Sequence, residues 1–581
     1  MNIGYIGLGA LGGELAKRFL GHHELTVWDL NPEAVQRFKA LGAHPATCAA
    51  DIAARCDVIL TCLPRSSDVH DMIFGAKGLA GTLRPGTLII DQTSGIPEQT
   101  RAMAQRLAES NVRMMDAAVS ASPHIVSQGL TTLMVSGTDE AYEQALPVLR
   151  TITQTIYRCG NRVGDGQAMK MVNNAMNGAC RVGTLEVVAL GRKLGYPLNV
   201  LTRTFNRGPA QNQTTDKMLP AIEQGKESTN FSLALMLKDV NQAVALGMST
   251  RTPMPVSGIT RALMLMGLNK QGPAARLEDM IGVIESMADT RIAPQDEAVP
   301  QANDDGLRAV TRVGYLHAAA TEPASPLCDS IRNFAIDGNG IDAFVRECEA
   351  LLIDLNDQET HDLFFGAPQL VNALQKGTLI VHVGTGEPAR IQALQQALSE
   401  RGMVVADAPM HPELAQAASA SLPFGAPPEH AASVKALLAK LSSETVYCGD
   451  VGNGRTVAIL RDAVTAMCRA IALECVMTGY KYGLALRDMA TVLNRGSGWS
   501  AASRLLLGSL TEGHSLNSGS AVQTIRSLNM AMRLAIQAGA PVMSLDAARV
   551  QFEAAANRPG QDIGGEALVQ HFESTAQIRL S

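Results

Sequence analysis

The constraint that bears hardest on this chain is a repeat kept in register over a long distance. The stretch "GDGQAMKMVNNA" (residues 164–175) returns as "GNGRTVAILRDA" (residues 452–463), and over residues 164–253 the offset of 288 holds without a gap. Earlier segments match as well: "GTLIIDQTSGIP" (86–97) with "GTLIVHVGTGEP" (377–388), and "MMDAAVS" (114–120) with "VADAPMH" (405–411). Further on, "FNRGPAQNQ" from Phe205 pairs with "LNRGSGWSA" from Leu493, and Glu186 with Glu474. Chance similarity does not keep such a register. The chain reads as a tandem duplication, and one half must fold much as the other does.

Within each half the periodicity changes midway. Residues 1 to about 160 alternate short apolar runs ("NIGYIGL", "ELTVWDL", "CDVILTCLP", "GTLIIDQ") with helical stretches, the pattern of βαβ units and a parallel sheet. From about Gln167 only helical periodicity remains. The expected fold is therefore an α/β Rossmann domain followed by an all-α domain, the pair duplicated. The expected boundaries are 1–163 and 164–292, a Pro-, Asp- and Gln-rich linker over 293–306, then 307–451 and 452–581. The second copy is abbreviated by nearly twenty residues, lacking the equivalent of "FKALGAHPATCAADIAARC" between Asp337 and Cys348.

Composition narrows the function classes. At 581 residues, 46% apolar and 18% charged, the chain is long enough for several buried cores. A net charge of −6 gives no reason to expect nucleic acid as a partner. Ten cysteines without a C-x-x-C pair or a His/Cys cluster indicate neither zinc nor a disulfide framework, so no metal site is expected. The N-terminus lacks a basic region before its apolar stretch, and no apolar run reaches the roughly 20 residues that span a bilayer. Neither a signal peptide nor a membrane partner is expected, and the expected location is the cytoplasm.

"GYIGLGALGG" places Gly7, Gly9 and Gly12, with Leu8, Ala10 and Leu11 between them, directly after a strand and at a helix start. Gly7 suits the tight turn, Gly9 the approach of a pyrophosphate to the backbone, and Gly12 close helix–strand packing. Unpaired N–H groups at the helix start then face the phosphates. The second strand ends in Asp29, seventeen residues after Gly12. A carboxylate there accepts from both ribose hydroxyls of NAD and repels the 2′-phosphate of NADP. Its bland alternative is assistance to the next helix start, but Asn31 and Pro32 already supply an N-cap and first-turn pair. The expected cofactor is NAD. In the second copy His317, Ala319 and Glu322 replace the three glycines, and no dinucleotide is expected there.

Lys170 and Asn174, four residues apart, project from one helix face, and Asn177 and Arg181 extend the stripe. Such a stripe alone reads equally well as a solvated face. Taken in order, "GLGALG" at Gly7, "DQTSGIP" at Asp91, "DAAVSASPHIVSQG" at Asp116, "GDGQAMKMVNN" at Gly164 and "LMLKDVNQA" with Lys238-Asp239 resemble the β-hydroxyacid dehydrogenases, the 3-hydroxyisobutyrate dehydrogenase family. The resemblance covers residues 1 to about 290. Asn173 argues against the related 6-phosphogluconate dehydrogenases, which have Lys-x-x-His-Asn.

The resemblance implies a role for each matching residue. Lys170 would be the general acid/base, its pKa lowered by burial beside the nicotinamide. Asn174 would hold substrate and orient Lys170, and Ser120 would grip the substrate carboxylate. Lys238 would close the site from the helical domain. Thr93 and Ser94 would line the nicotinamide ribose, and Leu63-Pro64 the adenosine side. Two segments depart from the family: Ser120-Ala121-Ser122 stands for Ser-Gly-Gly, and "NRGPAQN" from Asn206 for a Ser-Gly-Arg-Ser-like segment. In the second copy Lys170 becomes Ala458, Asn174 Asp462, Asp91 His382, Ser120 His411, and Lys238-Asp239 Arg526-Ser527. The expected function is NAD-dependent oxidation or reduction of a small β-hydroxy acid. The second half would be an inactive built-in partner that contacts the first intramolecularly, and homo-oligomers of the whole chain are a further expectation. The alternatives are a non-catalytic NAD or metabolite sensor and, less favoured, imine reduction.

Overall fold

The computed structural model describes residues 2–229, 231–295, 299–302, 310–318, 331–336, 340–366, 370–410, 420–513, 521–557 and 566–580. The first half opens with an eight-stranded sheet in the order β3-β2-β1-β4-β5-β6-β7-β8. Its strands are β1 (Asn2–Ile6), β2 (Glu24–Trp28), β3 (His44–Pro45), β4 (Val58–Thr61), β5 (Leu88–Asp91), β6 (Arg113–Ser120), β7 (Thr132–Ser136) and β8 (Thr155–Arg158). All neighbours are parallel except β6 and β7. The apolar runs of the sequence become strands covered on both faces, as parallel sheets require. Ile3, Tyr5, Leu60 and Ile90 pack to one side with Leu15 and Phe19, while Ile6, Ile59 and Ile89 pack to the other with Ile52, Val69 and Ile73.

The second half repeats this in reduced form. A parallel sheet orders as β10-β9-β11-β12-β13, from β9 (Val313–Ala318), β10 (Ile331–Ile336), β11 (Ala350–Asp354), β12 (Leu379–His382) and β13 (Val404–Asp407). β14 (Ser421–Phe424) and β15 (Glu444–Tyr447) form a separate parallel pair, joined to β13 by a bridge between Asp407 and Gly425. Among the described residues the shortfall removes the counterparts of β3 and the Pro32–Ala40 helix; the Ile341–Arg346 helix keeps the place of the Ala49–Arg55 helix, since Phe344 and Cys348 lie against Gly314 as Ile52 and Cys56 lie against Gly4, so the missing stretch is not the one the sequence alignment marked.

After each sheet comes a long helix, Asp165–Lys193 and Asn453–Tyr482, each beginning on a left-handed glycine, Gly164 at φ 98° and Gly452 at φ 95°. The apolar residues surround these helices instead of keeping to one stripe, so nearly every position is buried. Such a helix needs neighbours on all sides, and the two helices supply one another. A Cβ on Gly183 would lie 2.2 Å from Met467 Sδ, one on Gly191 would lie 3.1 Å from Leu460 Cδ1, and one on Gly479 would lie 3.4 Å from Val172 Cγ2. These contacts run antiparallel along the pair, and residues of both halves form one continuous apolar cluster. Asn173, Asn174, Asn177 and Arg181 are all buried, so the polar stripe is not a solvated face.

The repeated glutamates tie the halves reciprocally. Glu186 accepts from the backbone N–H groups of Met543 (3.1 Å) and Ser544 (2.9 Å), at the start of the Met543–Ala556 helix. Glu474 accepts from Val256 N–H (2.7 Å) and Ser257 N–H (3.0 Å), at the start of the Pro255–Gln271 helix. Each carboxylate satisfies orphan donors at a helix N-terminus in the opposite half. No helix among the described residues is long and apolar enough to cross a membrane.

Burial pushes both glutamates from 4.5 up to about 7, against the hydrogen bonds that hold them down. Between those limits the folded chain binds more protons than the unfolded one, so this contribution to stability is present at low pH and is lost as pH rises through 7. Thermal denaturation between about pH 5 and pH 8 should show Tm falling as pH rises. The Glu186→Gln, Glu474→Gln double variant should flatten that slope, whatever its absolute Tm; an unchanged slope contradicts the assignment.

Candidate active site

The glycine turn folds as its spacing demands. Gly7 has φ +96°, and a Cβ there would strike Cys62 O at 2.4 Å; one on Gly12 would strike Gly7 O at 2.1 Å. Gly9 is different: its φ of −63° suits any residue, it is exposed, and a Cβ would meet nothing within 4 Å. The open space lies over the first turn of the Ala10–Lys17 helix, whose N–H groups and positive dipole end suit a phosphate. Leu8 is buried, Ala10 exposed and Leu11 half-buried at this turn.

Asp29 stands at the end of β2. Its Oδ2 accepts from Leu8 N–H (2.6 Å) and its Oδ1 from Asn31 N–H (2.7 Å), tying the glycine turn to the neighbouring strand. The helix cap is Asn31, which accepts from Glu33 N–H, so Asp29 is not spent on capping. Leu63 and Pro64 follow β4, and Leu63 N–H donates to Thr93 Oγ1 (3.0 Å) just past β5. Gly7–Gly12, Asp29, Leu63-Pro64 and Thr93-Ser94 thus gather at the carboxyl ends of β1, β2, β4 and β5, around the reversal of strand order between β1 and β4. That crevice is where doubly wound sheets take a dinucleotide, and the residues present fit one.

Two buried carboxylates seat the Asp165–Lys193 helix against this crevice. Asp116 accepts from Gly164 N–H (2.6 Å), Gln167 N–H (2.8 Å) and the Ser136 hydroxyl. Asp91 accepts from Thr93 N–H (2.9 Å) and Gln167 Nε2 (3.2 Å). Burial raises them to about 7 and about 6, against those hydrogen bonds. The helix sits so close that a Cβ on Gly166 would meet Met134 O at 2.4 Å. Its start is thereby fixed, and Lys170 follows one turn later.

Lys170 Nζ donates to Ser94 Oγ and lies 4.0 Å from Asp239 Oδ2. Asn174 Nδ2 donates to the same Asp239 oxygen at 2.7 Å. Lys238 Nζ donates to Ser94 O (3.1 Å) and lies 3.7 Å from Asp239 Oδ1. Burial lowers the Lys238 ammonium pKa, opposed by Asp239 and reinforced by Lys170. Lys170, Asn174, Lys238 and Ser94 therefore converge. Ser120 closes β6, half-buried, and makes no side-chain hydrogen bond to Lys170 or Asn174 among the described residues. Cys62, pushed up to about 12 by burial and by Asp91, offers no thiolate.

Sequence reading missed Asp239 as the shared partner of Lys170 and Asn174, although it lay within the Lys238-Asp239 signature. "NRGPAQN" lies against the second half, where Arg207 O accepts from Ser421 N–H (3.0 Å). The segment that meets the Lys170 helix beside Asn174 is its repeat, from the other half: Gly498 N–H donates to Asn173 Oδ1 (3.0 Å), Asn173 Nδ2 to Ser497 Oγ (3.0 Å), and Asn177 Nδ2 to Ser497 O. The offset of 288 marks the two loops as equivalent but does not say which helix each one faces.

In the second copy Asp407 keeps the helix clamp, accepting from Gly452 N–H (2.6 Å) and Arg455 N–H (2.5 Å). The Asp91–Gln167 pair has become His382–Arg455. Arg455 Nη2 can only donate, so His382 Nδ1 (3.1 Å) accepts and its Nε2–H faces Thr360 Oγ1 (2.9 Å). Burial and Arg455 push that histidine well below its usual range. Ala458 and Asp462 stand where Lys170 and Asn174 stand in the first half, and Ser527 Oγ reaches Asp462 at 3.4 Å. His317 is buried beside β9's end, while Ala319, Glu322 and His411 lie outside the described residues.

The NAD binding domain of 6-phosphogluconate dehydrogenase matches residues 2–160 and 319–449. The NAD-binding domain of NADP-dependent 3-hydroxyisobutyrate dehydrogenase matches residues 164–284 and 452–572. L-threonate dehydrogenase of Cupriavidus necator is 31% identical over 266 residues, 46% of this chain and 90% of that protein. The chain belongs to the β-hydroxyacid dehydrogenase family. It is a tandem duplicate of the family's two-domain unit, an oxidoreductase with a nicotinamide cofactor. Mitochondrial 3-hydroxyisobutyrate dehydrogenase of Rattus norvegicus is 29% identical over 276 residues, 46% of this chain and 82% of that one. A crystal structure of 3-hydroxyisobutyrate dehydrogenase from Salmonella typhimurium aligns with 49% of the chain and 99% of its own, at 23% identity and a TM-score of 0.42.

The open space at Gly9 makes a clean test of the cofactor site. Gly9→Val should leave stability within about 0.5 kcal/mol of wild type. It should weaken NAD binding at least about tenfold, because its side chain fills the pyrophosphate path. Unchanged NAD affinity by fluorescence titration would place the dinucleotide elsewhere.

Proposed function

We propose that the first half oxidises or reduces a small β-hydroxy acid with NAD, with Lys170 as general acid/base, and that the second half is a catalytically inactive built-in partner. The observation that carries this reading is the convergence of Lys170, Ser94, Asn174, Asp239 and Lys238 beside the glycine turn. A dinucleotide held by the glycine turn, Asp29 and Thr93-Ser94 would supply the hydride acceptor in oxidation and the hydride donor in reduction. The substrate hydroxyl proton passes to Lys170 Nζ in oxidation and back in reduction. Asp239, 4.0 Å away, stabilises the positive charge that Lys170 gains. Asn174, held by Asp239, fixes the substrate hydroxyl and Lys170 relative to each other. Ser120, at the end of β6, receives the substrate carboxylate, and Lys238 closes the crevice from the helical side.

Asp29 favours NAD over NADP, since a 2′-phosphate would meet a carboxylate already held in place by Leu8 and Asn31 N–H groups. The hydroxy-acid class accords with the names of the relatives, L-threonate and 3-hydroxyisobutyrate dehydrogenase. Ala458 in place of a lysine, with Arg461-Asp462 for the two asparagines, supports an inactive second half.

NADH formation from NAD and a panel of β-hydroxy acids tests the reading. Lys170→Ala should cut turnover by at least about a thousandfold while NAD affinity changes less than about twofold. A large loss of NAD affinity would mean that Lys170 serves binding. NAD binding without NADH from any acid would favour a sensor.

A further inference from the structure

We propose that the second half positions the acid/base of the first through a hydrogen-bond relay, with Ser497 and Gly498 as positioning residues; this rests on the dehydrogenase reading above. The relay runs from Ser497 and Gly498 to Asn173, then Asn174, then Asp239, which lies beside Lys170. Its polarity is fixed at both ends. The Gly498 N–H can only donate, so the Asn173 atom that faces it at 3.0 Å is Oδ1. Asn173 Nδ2 is thereby turned to Ser497 Oγ (3.0 Å) and Asn174 Oδ1 (3.1 Å). At the other end the Asp239 carboxylate can only accept, so Asn174 presents Nδ2 to it at 2.7 Å. That leaves Asn174 Oδ1 for Asn173. Each bond of the relay joins a donor to an acceptor, and the oxygen that ends the chain is the one 4.0 Å from Lys170 Nζ.

The relay is absent on the other side of the pseudo-symmetric pair. The counterparts of Ser497 and Gly498 are Pro209 and Ala210, which offer no hydroxyl, and Asn173-Asn174 has become Arg461-Asp462. There Arg461 bonds through Nε to its neighbour Asp462 (3.0 Å), and its buried Nη1 and Nη2 have no partner among the described residues. The two loops have diverged with the helices they face, and the hydroxyl-bearing loop faces the lysine. Mere adhesion of the halves does not need it, since the long helices and the two glutamate clamps already hold them together.

The test uses the full chain. Ser497→Ala removes one bond of the relay while Asn177 still holds the Ser497 carbonyl, so the loop stays seated. The expected result is a fall in kcat of about tenfold, an increased solvent deuterium isotope effect on kcat, and hydroxy-acid KM and NAD Kd within about twofold of wild type. Ser497→Thr, which keeps the hydroxyl, should restore most of kcat. Wild-type kcat in Ser497→Ala overturns the proposal, as does a rise in KM alone, which would make Ser497 a substrate contact. A loss that threonine does not rescue overturns it too. Independently of turnover, hydrogen exchange of the peptide containing Gly498 should quicken in Asn173→Ala, and unchanged protection overturns the relay. If the wild-type protein binds NAD but turns over no hydroxy acid, the dehydrogenase reading fails, and the exchange result alone decides whether the relay exists.

Discussion

The antiparallel packing of two long helices is the interaction on which everything else rests. A helix of 29 residues buried on nearly every face cannot be covered by the elements of its own half alone. Its partner is the second copy of itself, brought close by glycines at Gly183, Gly191 and Gly479 and fixed end to end by Glu186 and Glu474. Covalent fusion makes that pairing intramolecular, so it does not depend on protein concentration.

The same helix connects fold to site. Its N-terminus is held on the sheet by Asp116 and Asp91, its next turn carries Lys170, and its third meets the opposite half through Asn173 and Asn177. The second copy keeps the part of this scheme that concerns folding: Asp407 repeats the clamp of Asp116 on the next helix start. It has exchanged the rest in matched sets. Asp91–Gln167 became His382–Arg455, a buried pair that keeps a hydrogen bond between its members, whereas Ala458 stands where the first half has Lys170. Positions that hold the fold and positions that line the candidate site are thus separable residue by residue.

Much of this was legible in the sequence because it is written in short-range patterns. The duplication, the two sheet-plus-helix units and the glycine turn each rest on spacing, and so does the shortfall of the second copy, although which helix it removes was not legible. What the sequence left ambiguous was tertiary. A polar stripe on an apolar helix reads as solvated until its partner is known; here the partner buries it. "NRGPAQN" and "RGSGW" are equivalent by register, yet it is "RGSGW", from the other half, that meets Asn173 and Asn177. Asp239 was hidden for a related reason, since its contact with Asn174 joins positions 65 residues apart.

The central claim is a division of labour between two copies of one fold, and cofactor stoichiometry tests it most directly. Calorimetric titration of NAD into the full 581-residue chain should give one molecule bound per chain. Two molecules per chain would mean that the second copy still holds a dinucleotide, and would contradict the account.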